Sequence, residues 1–125
     1  MDIVNTESAP KALGTYSQAV QHGGFLFISG QVPFDPVTMK VISDDPVDQI
    51  RQVFANLKAI AEAGGTSLDN AIKLTVYLKD LGIFARLNEE MARVISEPYP
   101  ARVAVEVSRL PGDVLVEIDA IIAVD

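Results

Sequence analysis

The sequence predicts an α+β domain, a mixed sheet of about six strands with two helices on one face. Three observations point there. Two stretches keep helical apolar spacing and carry start and stop residues. Several others alternate or run apolar over strand lengths between Gly and Pro punctuation. Their order, about three strands, helix, strand, helix, two strands, suits two helices laid on one sheet. The 125 residues read as one domain, 1–125, with no internal repeat, low-complexity tract or linker.

Taken in order, Ile3-Val4 predicts a short edge strand. Gln18 to Gln21 and Phe25 to Ser29 flank His22-Gly23-Gly24, whose glycines supply the positive φ of a hairpin turn. Pro33, Asp35 and Pro36 then break the pairing, and Pro33 to Asp45 is a surface connection. Asp45 is placed to cap the first helix, with Pro46 at its first position and Asp48 in its positive first turn. Val47, Ile50, Phe54, Leu57 and Ala61 form its apolar stripe, and Gly64-Gly65 ends it. The run Ala71 to Lys79 has period two, with Ile72, Leu74, Val76 and Leu78 on one face. A second helix follows Asp80, its stripe Phe84, Leu87, Met91 and Ile95, and Pro98 and Pro100 stop it. Arg102 to Val107 and Val114 to Ala123 read as a closing hairpin.

Composition excludes several function classes. Hydrophobic residues make up 49% of the chain, which is too many for intrinsic disorder. No apolar run approaches a membrane span, and the acidic start Met1 to Asn5 does not read as a secretory leader. With no cysteine, a thiolate nucleophile and a cysteine-held metal are impossible, and one histidine, His22, argues against a His-based metal site. No metal is therefore expected. The formal net charge of −7 repels phosphate backbones and anionic membranes, so neither nucleic acid nor membrane is an expected partner. A cytoplasmic domain follows, whose chemistry uses carboxylates, Arg, Lys, hydroxyls and backbone groups.

Two helices cover only one face of a sheet. The last strand sets Val114, Val116, Ile118, Ala120 and Ile122 on one face and the mixed set Leu115, Glu117, Asp119 and Ile121 on the other. Phe25 to Ile28 is apolar on both. With no third helix to cover the second face, another subunit is the simplest cover.

The phosphate-binding, zincin, nucleophile-elbow and Cys-x-x-Cys motifs are all absent. The best constellation lies in the closing hairpin. If Val103, Val105 and Val107 face the core, Arg102 faces away, as do Glu117 and Asp119, and the hairpin register sets Arg102 opposite the acids. An arginine there can grip a carboxylate through two bonds while an acid handles a proton. The same trio also reads as a cross-strand ion pair stabilising the hairpin. Ser29-Gly30-Gln31 follows a strand, and Gly30 permits close approach of a ligand, although a strand-ending glycine reads the same way. Tyr16 in its loop reads first as a packing group, and Asn88 as a buried amide bonded to a loop. His22 reads as solvated, and Asp44, Asp45 and Asp48 as capping groups rather than metal ligands.

Four segments, in order and at similar spacing, carry a resemblance over nearly the whole chain: Gly14-Thr15-Tyr16-Ser17-Gln18-Ala19, Ser29-Gly30-Gln31-Val32-Pro33, Tyr99 to Val107, and Val116-Glu117-Ile118-Asp119-Ala120. They resemble the Rid family, the reactive intermediate deaminases also called YjgF/YER057c/UK114, in its archetypal deaminating subfamily. The resemblance implies a chorismate-mutase-like fold and a homotrimer with ligand clefts between adjacent subunits. It implies hydrolysis of 2-imino acids, the tautomers of 2-aminoacrylate and 2-aminocrotonate, to 2-oxo acids and ammonia without a cofactor. By the same resemblance Arg102 holds the substrate carboxylate, Glu117 orients or activates water, Tyr16, Ser29 and Gly30 line the cleft, and Asn88 supports it. Thr15 stands where the family usually has proline, and Ala104 where several members have cysteine. The segment between Asn88 and Pro100 is shorter than usual. Two other readings compete: a non-catalytic trimer that binds small carboxylates or a regulatory partner, and a ribonuclease, which the net charge disfavours.

Overall fold

A computed structural model describes all residues from Met1 to Asp125. Six strands form one sheet: β1 (Asp2–Val4), β2 (Ala19–His22), β3 (Phe25–Gln31), β4 (Ala71–Leu78), β5 (Ala101–Glu106) and β6 (Val116–Ala123). Two helices, α1 (Pro46–Ala63) and α2 (Phe84–Val94), lie on one face, so the α+β expectation holds. Gly23 and Gly24 turn β2 into β3 at φ +60° and +83°, both positive as a two-residue hairpin turn of this kind requires. The Asp45 carboxylate caps α1 by accepting from the Asp48 N–H at 3.0 Å.

The strand order is β1-β2-β3-β6-β4-β5. The last strand in the chain is therefore central, antiparallel to both neighbours, β3 and β4. This corrects the closing hairpin. β5 pairs not with β6 but with β4, in parallel, with Leu74 beside Arg102 and Tyr77 beside Val105. The segment β4–α2–β5 is a crossover unit, and parallel neighbours need a connection of that kind.

The core lies between sheet and helices. Leu26, Leu74, Val76, Leu78, Val116, Ile118 and Ile122 from the sheet meet Ile50, Val53, Leu57, Ile60 and Leu87 from the helices, all fully buried. Ile72 is the exception to its predicted face. The register shifts between Ala71 and Lys73, and the bulge leaves Ile72 exposed.

The second face of the sheet is open in the single chain. Cross-strand pairs share a face, so Ile3, Val20, Phe27, Ile121 and Lys73 form one row across it. Asp119, Thr75 and Val103 form the next row, and Glu117, Tyr77 and Val105 the one after. Phe27 and Val103 are each 43% exposed.

Candidate functional site

The chemistry-bearing residues divide between the two faces. Glu117 and Asp119 point to the open face, as expected. Arg102 does not. Parallel pairing with β4 sets Val103 and Val105 on the open face and turns Arg102 and Ala104 to the helix side, where Ala104 packs on the core. The expectation that the β5 valines face the core is reversed. Across β4, two strand spacings of ~4.8 Å and three residues of ~3.3 Å separate the Arg102 and Glu117 Cα atoms by roughly 14 Å. Within one chain these two side chains cannot meet.

Glu117 occupies a cleft of about 470 Å³ whose walls include Tyr16, Ser29, Gly30, Phe34 and Pro111. A Cβ on Gly30 would lie 2.0 Å from Glu117 Oε2, so only glycine leaves room for the carboxylate there. Lys11 also lines the cleft, but the chain's ion pairs, Arg51–Glu90, Arg93–Glu90 and Arg109–Asp113, do not include Glu117. Burial, and then the nearby Asp119 charge, hold its carboxyl above the ordinary range. Ser29 Oγ donates to the Ser17 carbonyl at 2.6 Å, which ties the strand to the loop bearing Tyr16. Tyr16 is 53% exposed at the cleft and its hydroxyl accepts from the Leu13 N–H at 3.3 Å, so it is not the packing group its loop position suggested.

Arg102 lies in a second recess with Asn88, Met91, Ala92, Tyr99 and Pro100. Its Nη1 donates to Asn88 Oδ1 at 2.7 Å and approaches the Met91 sulfur at 3.7 Å, and its guanidinium sits 4.9 Å from the centre of the Phe84 ring. Asn88 is exposed and bonds Arg102, not a loop. Helix α2 thus fixes one edge of the guanidinium by hydrogen bond and ring stacking, and leaves Nη2 and Nε without protein acceptors.

Some site residues escaped the sequence reading. Tyr77 lies across from Glu117, and its hydroxyl donates to Asp119 Oδ2 at 3.3 Å. Burial, and then the Asp119 charge, raise that phenol above its usual range. The Lys73–Thr75–Tyr77–Lys79 face was visible in the alternation, but its neighbour was not. The buried Glu90, which accepts from Arg51 Nε at 2.6 Å and joins α2 to α1, was also missed. His22 is exposed; of the three acids, Asp45 and Asp48 serve the helix start as expected, Asp48 accepting from Ser43 Oγ at 2.9 Å. No three of the chain's His, Asp or Glu side chains gather as metal ligands, and no helix is long and apolar enough to cross a membrane.

The family model described as Endoribonuclease L-PSP matches residues 6–124. A RutC family protein of Pyrococcus horikoshii is 58% identical over 120 residues, covering 96% of this chain and 95% of the relative. The crystal structure of RidA from an Antarctic Psychrobacter superposes with a TM-score of 0.96 at 48% identity, covering 99% of this chain and 100% of that one. Escherichia coli TdcF, solved with bound serine, gives 0.93 at 40% identity with full coverage of both chains. With the six-stranded sheet, the two helices and the four sequence segments all in place, the chain belongs to the YjgF/RutC/Rid family.

Proposed function

We propose that the chain is a cytoplasmic deaminase of small 2-imino acids, working as a homotrimer whose sites lie between adjacent copies. The observation that carries this reading is the division of the site. A carboxyl held above its ordinary range, in no ion pair of its own chain, lies on the open face. An arginine with free donors lies on the other side at the sheet edge. A second copy covering the open apolar face can bring its Arg102 to the Glu117 cleft, which the chain cannot do for itself. The open row of Ile3, Phe27 and Ile121 supports such a cover.

The reaction needs little from the protein. An imine carbon is electrophilic and hydrolyses in water unaided. Arg102 of one copy takes the substrate carboxylate through two parallel bonds, which fixes the imine carbon over Glu117 of the other. Glu117 accepts a proton from water as its oxygen bonds to the imine carbon, and returns the proton to the nitrogen. Glu117 then takes the proton of the new hydroxyl and passes it to the amino nitrogen as the carbon–nitrogen bond breaks, leaving a 2-oxo acid and ammonia. No metal or covalent nucleophile is required. A second reading, a trimer that only binds small carboxylates, draws support from the serine bound in TdcF. The ribonuclease reading suggested by the family description sits poorly with a net charge of −7.

Mixing inactive variants tests the proposal. Arg102→Ala and Glu117→Gln should each lose turnover of 2-iminobutanoate, generated by a threonine dehydratase and followed as 2-oxobutanoate. Refolded together in equal amounts they should regain about a quarter of wild-type turnover, because each site then draws Glu117 and Arg102 from different copies. No recovery in mixed trimers sinks the shared site. Glu117→Gln at wild-type rate leaves the binding reading standing instead.

A further inference from the structure

The chain has four buried amides; Gln31 lines the Glu117 cleft, the other three brace main chain around it, and the reaction above uses none of them. From α1, Gln49 accepts from the Leu115 N–H at 2.7 Å and donates to the Ser43 carbonyl at 2.8 Å. Also from α1, Asn56 donates to the carbonyls of Val32 and Phe34 at 3.1 and 3.2 Å. Gln18, just before β2, does the most. Its Oε1 accepts from the Thr6 N–H at 2.8 Å, and its Nε2 donates to the carbonyls of Thr6, Pro10 and Ala9 at 2.9, 2.9 and 3.3 Å. Its own main-chain carbonyl accepts from the Ser29 N–H at 2.9 Å.

Gln18 therefore touches both walls of the cleft. Its main chain holds the Ser29–Gly30 wall, against which Glu117 rests. Its side chain holds residues 6–10, the segment that runs into Lys11, Leu13 and Tyr16 on the opposite wall. An apolar side chain here would leave the Thr6 N–H and the carbonyls of Thr6, Ala9 and Pro10 without this partner, two of those bonds being fully buried. The segment 6–18 contains no helix or strand of its own, so its path depends on such bonds.

We propose that Gln18 is a positioning residue that sets the width of the Glu117 cleft, by tying the Tyr16-bearing segment to the Ser29–Gly30 wall. This rests on the reading of that cleft as the substrate site. Residues that hold a loop wall act on substrate grip, and displacing that wall weakens binding more than the proton transfer at Glu117.

The test uses two variants and a control. Gln18→Glu keeps the shape and the acceptor for Thr6 but sets a carboxylate against carbonyl oxygens. Gln18→Asn, neutral and one methylene shorter, repeats the test without a buried charge. Val53→Ala, in the core of α1, supplies a comparable loss of melting temperature away from the cleft. KM for 2-iminobutanoate and Kd for 2-oxobutanoate should both rise about tenfold in the Gln18 variants while kcat changes less than about threefold. Val53→Ala should leave KM and Kd as in the wild type. Wild-type KM and Kd in both Gln18 variants overturn the proposal, as does a rise of the same size in Val53→Ala. A wild-type protein that binds 2-oxobutanoate without turning over the imine sinks the deaminase reading alone, and Kd then decides Gln18. A wild-type protein that binds neither sinks both.

Discussion

On the helix side of the sheet, Leu26, Leu74, Val116, Ile118 and Ile122 are fully buried under α1 and α2. On the other side, the same strands expose Phe25, Phe27, Tyr77, Asp119 and Glu117 in whole or in part. The helix side is apolar almost throughout, and its one buried acid, Glu90, is held by Arg51. The open side mixes apolar rows with two acids that no cation pairs. The difference separates two jobs. Burial on the helix side stabilises the fold of one chain, while the open side is where the proposed second copy and substrate would bind.

That contrast can be broken from either side. The largest effect on folding should come from Leu57→Ala, which removes core volume under the sheet and should cost about 2–5 kcal/mol in chemical denaturation. Phe27→Asp, on the open face, should leave the folded chain's circular dichroism intact but reduce its mass by light scattering to that of a monomer. If Phe27→Asp unfolds the chain instead, the open face is part of the single-chain core and the contrast fails. Next in size is Gly30→Ala. The new Cβ would displace the Glu117 carboxylate, so turnover should fall by ~10²-fold or more, the scale of a positioned acid or base, with melting little changed.

The smallest effects separate the faces by pH. Arg51 holds Glu90 below the ordinary carboxylate range, by hydrogen bond first and charge second. Glu90 therefore stabilises the fold above the unfolded carboxylate range, and that contribution is lost as pH falls through its depressed value. Glu117 has the opposite sign. Its folded carboxyl holds a proton to higher pH than the unfolded one, so its contribution weakens the fold as pH rises through the ordinary carboxylate range and beyond. In the single-chain Phe27→Asp background, where no second copy's Arg102 reaches the cleft, Glu117→Gln should thus raise the melting temperature at neutral pH and Glu90→Gln lower it. Melting curves from pH 3 to 8 read both. Equal shifts of one sign would show that the two acids share an environment.

Much of the fold was legible because local signals decide it. The Gly23-Gly24 turn, the Asp45 cap with Pro46, and the alternation of Leu74, Val76 and Leu78 need no knowledge of neighbours. Strand pairing is different. Val103, Val105 and Val107 look like a core face, and two strands close in sequence look like a hairpin. The pattern β4–α2–β5, strand then helix then strand, was the competing signal for a parallel crossover. It decides which face Arg102 takes, and so whether Arg102 and Glu117 can meet within one chain. Gln18, Gln49 and Asn56 were not legible as buried groups, since an amide looks alike in the sequence whether it meets water or a distant carbonyl.

The central place of β6 governs the order of assembly during synthesis. The ribosome delivers β1 to β5 before the strand that joins β3 to β4, so the two halves of the sheet meet only when residues 116–123 emerge. Until then β3 and β4 each present an unpaired edge, the kind of template that draws other chains into aggregates. The pairings that close the gap are distant in sequence, and distant pairings form slowly. Those edges stay open until the last strand pairs, and a chain truncated before Val116 lacks the strand that joins β3 to β4.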